Sequence, residues 1–446
     1  MAIINEVEYS ELMGTQRLDA EYYDPALLEL ERAVKSFRGG WAPLSELTDL
    51  ITDGDHLKRN YVEEGILFLT SENFQKYFID YRSDYFISRE YEKTLTRARA
   101  EKDAVFLTKT GKWYGNAVIC KSSKQQFNIS ADVAKIRLLP EYDPYFLACY
   151  LNSDFGYALV RRESTGGSRD RIILDNLRTL PVPKIRRTEN KFREIVDKIE
   201  ATFDKANRVY AEGEDIYEKS LNLESVKKIS TTFSEISFSE ISKSKRFDAE
   251  YFSPRVQKII EVLSRDKLKI SNVSIPSRNR FEANKVKKID YIEIGDISES
   301  GAAVNHSLNS EDAPSRATWV VKTNDVITSL VRPVRRLTAI IEKTQDGSIC
   351  SSGFSVLTPK NIPAEILLVY LRLPLVCELM NIYTTSSMYP AISNDDLLNI
   401  PFSFPEKNKI EKIVLKVRES FLVRKELKQL YIEAKKLVSN TILGRG

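Results

Sequence analysis

RLDAEYYDP, from Arg17 to Pro25, returns as RFDAEYFSP from Arg246 to Pro254, 229 positions further along the chain. Upstream, Glu6, Tyr9, Ser10, Glu11 and Leu12 recur at the same spacing as Glu235, Phe238, Ser239, Glu240 and Ile241. Downstream, Lys102-Asp103-Ala104-Val105 corresponds to Asn324-Asp325-Val326-Ile327, and Tyr150-Leu151 to Tyr370-Leu371. Leu180-Pro181 answers to Ile400-Pro401 at a spacing of 220, and Asn190-Lys191 to Asn408-Lys409 at 218. The order of features holds while the spacing shrinks. That pattern is a tandem duplication with small deletions in the second copy.

Each copy reads the same way. Asp24-Pro25 and Ser253-Pro254 pair an N-cap residue with a proline suited to the first helical position, and predict helices over Ala26 to Phe37 and Arg255 to Ser264. Short β-rich runs follow at Ile66 to Thr70, Ala104 to Leu107, Ala117 to Cys120 and Val133 to Leu138. Their counterparts are Tyr291 to Ile294, Val326 to Leu330, Leu337 to Ile341 and Phe354 to Leu357. A second helix is expected over Pro144 to Val160 and over Pro363 to Tyr383, then a loop, a short helix and the proline-punctuated exits PVPKI and PFSFPEK. Each copy is thus expected to be a mixed α/β (α+β) globule of ordinary single-domain size.

Beyond each exit the periodicity changes. Phe192, Val196, Ile199, Phe203, Ala206, Tyr210, Gly213 and Tyr217 follow alternating steps of four and three, with charged residues between them. The second copy gives Ile410, Val414, Val417 and Phe421, then after a slip Val423, Leu427, Leu430, Ala434, Leu437 and Thr441. One such stripe could pack on its own domain. Two in one chain, with no third partner, point to helices packed on each other, with a seam of Phe192, Val196, Ile199, Phe203, Tyr210, Val417, Phe421, Leu427, Leu430 and Leu437. The expected divisions are 1–187, 188–229, 230–405 and 406–446.

Composition narrows the function. The chain of 446 residues is globular in make-up, with 42% hydrophobic and 10% aromatic residues. It has no apolar run long enough for a membrane helix, and its first residues lack a basic-then-apolar signal, so a cytoplasmic protein is expected. Cys120, Cys149, Cys350 and Cys377 lie too far apart for a zinc-ligand spacing or a disulfide framework, and read as buried thiols. Net charge is only +4, so any affinity for nucleic acid must come from local patches.

The layout of globule, helix, globule, helix resembles the specificity subunit of type I restriction–modification enzymes, over nearly the whole chain. Asp53-Gly54-Asp55-His56 is similar to the family's D-G-x-H string near the first strands; the second copy has none. The loop, short helix and hydrophobic-proline exit read Gly166-Gly167-Ser168, Asp175-Asn176-Leu177 and Leu180-Pro181-Val182-Pro183. In the second copy they read Ser386-Ser387-Met388-Tyr389-Pro390-Ala391-Ile392-Ser393, Asp396-Leu397 and Ile400-Pro401. The resemblance implies a non-catalytic subunit with two target recognition domains, 1–187 and 230–405, each reading one half of a bipartite site in double-stranded DNA. The spacer helices, 188–229 and 406–446, would pack as an antiparallel coiled coil, set the spacing and dock two modification (methyltransferase) subunits, and restriction/translocase subunits would join that core.

Local chemistry agrees with contact to DNA. From Tyr157 to Arg187 eight basic residues surround Ser164-Thr165-Gly166-Gly167-Ser168, whose hydroxyls and backbone N–H groups suit phosphate oxygens. An ordinary solvated loop is the bland alternative. Candidate contacts in the first copy are Lys109, Lys112, Arg161, Arg162, Thr165, Gly166, Gly167, Ser168, Arg169 and Arg171. In the second they are Arg332, Arg335 and Arg336 beside Pro333, with Thr384, Thr385, Ser386, Ser387 and Tyr389. Asp19-x-Glu21 and Asp248-x-Glu250 sit beside arginines and read as structural ion pairs. His56 and His306 lack Cys or His neighbours, so neither a triad nor a metal site is expected, and no cofactor. Asp143-Pro144-Tyr145 falls one proline short of an amino-methyltransferase motif, and Gly111-Lys112 has no upstream glycine loop for ATP. The alternatives are the specificity subunit of another multi-subunit DNA-modification or phage-defence system, a self-contained DNA nuclease or methyltransferase, and a scaffold that binds only protein.

Overall fold

A computed structural model describes residues 6–15, 17–55, 61–111, 113–121, 126–164, 171–187, 190–227, 229, 233–282, 286–298, 301–384 and 389–445. Its contacts form two compact units, Met1–Phe203 with Lys425–Gly446, and Asp204–Arg424.

In the first unit a helix spans Pro25–Lys35 because the Asp24 side chain accepts from the Ala26 N–H at 2.8 Å and Pro25 brings no unsatisfied donor to the first turn. A four-stranded antiparallel sheet follows in the order Thr48–Asp53, Val133–Leu138, Val105–Thr108, Ala117–Ile119. Successive side chains of a strand face opposite ways. Val105 and Leu107 therefore join one core with the helix Pro144–Asn152, while Phe106 joins another with Leu67, Leu69, Phe127 and Ile129. Both faces are covered, which is why this strand reads as an unbroken apolar run. The second core belongs to a smaller sheet in which Ile66–Leu69 pairs in parallel with Phe127–Ile129.

The second unit repeats this order. Ser253 caps the helix Pro254–Leu263, and the sheet runs Ser274–Pro276, Phe354–Pro359, Val326–Ser329, Thr338–Ile340. Val326 and Ile327 again divide between two cores, and Lys288–Ile292 pairs in parallel with Ile349–Ser351. Asp103 and Asn324 share a left-handed backbone, with φ of 66° and 71°. Here the true spacing is 221, one residue short of the match that pairs Asp103 with Asp325.

Two expectations need correction. The helix over Pro144 to Val160 is broken into Pro144–Asn152 and Asp154–Arg162. Ser153 caps the second piece by accepting from the Gly156 N–H, and a Cβ on Gly156 would lie 2.1 Å from the Tyr150 carbonyl oxygen. The stretch Pro363 to Tyr383 likewise divides into Ala364–Arg372 and Pro374–Ile382, since Pro374 cannot continue the ladder of N–H donors. The proline exits themselves form short antiparallel pairs, Pro181–Pro183 with Trp41–Pro43 and Pro401–Phe402 with Leu268–Lys269. Prolines are tolerated there because each pair stands alone as a two-stranded edge.

Long helices span Lys191–Ser220 and Lys407–Leu443. Within the first unit Phe192, Val196 and Ile199 are fully buried in one core with Leu427, Ala434 and Val438, and Phe203, Leu430 and Leu437 are half-buried against it. Within the second, the Ser420 hydroxyl donates to the Ala206 carbonyl, Lys416 pairs with Glu212, and the Glu406 N–H donates to the Ser220 hydroxyl. One number rises as the other falls, so these segments are antiparallel. They approach closely at Gly213, where a Cβ would stand 3.2 Å from that of Lys416. Tyr210 and Val417 are buried and Phe421 half-buried. The stripes also serve their own globules. Phe192 meets Phe146 edge-on at 5.1 Å, and the Tyr217 hydroxyl donates to the Ser403 carbonyl. Burial of a side chain such as Phe192 contributes about 1.5–3 kcal/mol.

Candidate nucleic-acid interface

In each unit the turn after the third strand of the sheet is tied to the segment following the paired helices. Thr110 bridges Arg171, and the Ile172 N–H donates to the Lys109 carbonyl. Val331 bridges Ala391, and the Ile392 N–H donates to the Leu330 carbonyl. The turns also share their backbone. Gly111 and Gly115 have φ of 79° each, and at the equivalent places Arg332 and Arg336 have φ of 51° and 59°. An L-residue pays roughly 1–2 kcal/mol in this region, so arginine there needs a compensating role.

Arg336 has a structural one. Its guanidinium donates to the Arg372 carbonyl at 2.6 Å and pairs with Glu214, while buried Arg372 donates to the Tyr210 hydroxyl and to the Arg336 carbonyl. Arg332 and Arg335 instead line a concavity of about 540 Å³ with Tyr389, Ser351, Ser352, Gly353 and Arg316. Arg316 escaped the sequence reading, since only the pairing of Ala317–Val320 with Ile349–Ser351 brings it there. Tyr389 is 65% exposed. Thr384 is half-buried and its hydroxyl donates to the Asn381 carbonyl, closing a helix end.

The first unit turns its basic residues differently. Lys109 is only 3% exposed, and its ammonium lies 2.5 Å from Asp53. It supports the turn from within and presents no charge to a DNA backbone. Asp53 belongs to the Asp53-Gly54-Asp55 string, whose role is local. A Cβ on Gly54 would stand 2.0 Å from the Ile129 carbonyl oxygen, and the Tyr91 hydroxyl donates to Asp55. Arg162 is also structural: it donates to the Tyr22 carbonyl at 2.8 Å, pairs with Glu31 at 2.5 Å and lies over the Tyr22 ring. Arg161 is exposed and lines a groove of about 780 Å³ with Arg17, Tyr22, Tyr157 and Ser164. Arg171 is exposed, and its backbone both donates to and accepts from the Ser164 hydroxyl. His56, Lys112, Thr165, Gly166, Gly167, Ser168, Arg169, Thr385, Ser386, Ser387 and Met388 lie outside the described residues.

The acidic strings are held as ion pairs. Arg17 forks onto Asp19 at 2.7 and 2.6 Å, Arg246 onto Asp248 at 2.8 and 2.6 Å, and each holds its carboxyl below the ordinary range. Beside Arg17, burial pushes the Glu163 carboxyl up against the opposing hydrogen bond from Tyr22. All four cysteines are buried, and burial pushes the Cys350 and Cys377 thiols up to about 12, away from the reactive thiolate form. Among the described residues no cluster of His, Cys, Asp and Glu could hold a metal ion, and no helix is long and apolar enough to cross a membrane. His306 pairs with Asp296 on the surface, at 3.0 Å.

No protein-family model matches this chain, and no curated protein does. Among solved structures it is similar to the S subunit of a type I restriction-modification system from M. genitalium, at 12% identity and a TM-score of 0.39 over 91% of this chain and 96% of that one. It is also similar to the HsdS subunit from Thermoanaerobacter tengcongensis, at 14% identity and a TM-score of 0.28 over 91% and 97%. A third similar chain comes from work on complex assembly and conformational transition of the type I R-M system, at 15% identity and a TM-score of 0.28 over 90% and 96%.

Proposed function

We propose that this chain is a non-catalytic DNA-recognition subunit that reads a bipartite site, one half-site per unit, for partner methyltransferase and restriction subunits of the type I kind. The observation that carries this reading is one turn, bridged to the segment after the paired helices, built twice with the same backbone and different side chains at its rim. A repeated frame with a changed rim suits two readers of different base sequences, because phosphate contacts position a protein while side chains at base edges specify. A protein-only scaffold gives no reason to gather arginines with an exposed tyrosine at the rim of the second frame.

The helix pair sets the spacing between half-sites and docks the partners. With a net charge of only +4, the chain binds DNA weakly by itself, and affinity rises when methyltransferase subunits close around the duplex. Titration of duplex DNA with and without that partner, at two salt concentrations, tests the reading. Tighter, sequence-dependent binding with the partner is expected, and methyl transfer from labelled S-adenosylmethionine only with it. Methyl transfer by the chain alone would overturn the non-catalytic assignment, and binding without sequence preference in both mixtures would overturn the reader.

A further inference from the structure

Arg316, Arg332 and Arg335 come from two separate stretches of the second unit and line one concavity. Among the described residues, none of the three has a carboxylate within ion-pair distance, whereas their neighbour Arg336 is paired with Glu214. Like charges gathered in one concavity raise the local positive potential, so the surface favours an anion or a strong acceptor over an apolar or cationic ligand. The three are not equivalent. Arg332 alone is stacked, with its guanidinium 5.3 Å from the centre of the Tyr389 ring. A ring beside the guanidinium restricts its orientation, and a guanidinium carries a planar edge of N–H donors. That edge matches the paired acceptors O6 and N7 of guanine in the major groove, and a stacked fork loses less freedom on binding than a mobile lysine.

We propose that the second unit reads a guanine through Arg332, with Tyr389 as the positioning residue, and holds neighbouring phosphates through Arg316 and Arg335. The proposal rests on the DNA-reading function above and names the base on one side of it. Among the described residues of this turn the first unit has no such arginine. Gly111 stands where Arg332 does, and Tyr114 stands where Arg335 does, buried with its hydroxyl donating to the Val160 carbonyl. The guanine contact assigned to Arg332 therefore belongs to the half-site read by the second unit.

Selection from a duplex pool of randomised sequence, by the full chain together with its methyltransferase partner and at low salt, tests this. Arg332→Gly keeps the turn, since glycine holds the same left-handed position in the first unit. It should lose preference for guanine at one position by about tenfold or more, with the other half-site unchanged. Tyr389→Ala should show a smaller loss at the same position, and Tyr389→Phe should retain the preference because the ring face remains. Arg316→Gln and Arg335→Gln should weaken binding to all sequences alike and each lower the salt slope by about one. Full guanine preference in Arg332→Gly, beside a wild type that selects a site, overturns this assignment and leaves the DNA reader standing. A wild type that selects no sequence overturns both.

Discussion

The turn Lys109-Thr110-Gly111 of the first unit and the turn Leu330-Val331-Arg332 of the second share a backbone but distribute charge in opposite directions. In the first, the cation points inward to Asp53 and the left-handed position is glycine. In the second, an apolar residue fills the interior and the left-handed position carries an arginine beside an exposed tyrosine. The frame is fixed by hydrogen bonds that need no particular side chain, so duplication kept it while the rim diverged. The difference separates what such a unit needs in order to fold from what it offers to a ligand.

The largest expected effect comes from breaking the buried pair. Lys109→Leu leaves the Asp53 carboxylate buried without its main partner and should cost about 3–5 kcal/mol. Adding Asp53→Leu removes the unpaired buried charge and should recover most of the loss. Urea unfolding of the two variants measures it. Equal losses in both would show that the pair does not account for the first turn.

A smaller effect separates the two helix breaks. Gly156→Ala drives a Cβ into the Tyr150 carbonyl and should cost about 1–3 kcal/mol in thermal unfolding. Pro374→Ala removes no hydrogen bond and should change stability by about 1 kcal/mol or less. A reversal of that order would mean that the close approach of Gly156 to the Tyr150 carbonyl does not hold the first break.

The smallest effect depends on pH. Glu163 and Tyr383 occupy equivalent helix ends, and only Glu163 titrates in acid. Because burial raises its folded pKa, the folded chain holds this proton more tightly than the unfolded chain does. Its contribution is most favourable below the ordinary carboxylate value and is lost as pH rises toward the raised one. The Arg17–Asp19 and Arg246–Asp248 pairs act oppositely and in both units, their contribution disappearing as pH falls through the depressed values. Glu163→Gln should therefore remove this acid-side gain from the first unit alone. Hydrogen exchange resolved by unit, with pH, checks it. A matching change in the second unit would contradict it.

The duplication and the helix stripes were legible in sequence because order and periodicity survive side-chain drift. Ser253-Pro254 and Asp24-Pro25 marked helix starts because capping is local chemistry. The break at Ser153 was not legible, since nothing near it in sequence shows that Gly156 must pass within contact of a carbonyl. Site residues were harder for the same reason. Lys109 and Arg162 looked like free cations, but their partners Asp53 and Glu31 lie 56 and 131 residues away. Arg316 was invisible until strand pairing brought it beside Arg332.

The central claim, one reader per unit, is tested most directly by replacing residues 42–181 with the same region of a relative of different specificity. The chimera is expressed with methyltransferase partners and its methylated sites are mapped. One half of the site should change while the other half, with its guanine, stays as in the parent. A change in both halves, or in neither, would contradict the two-reader account.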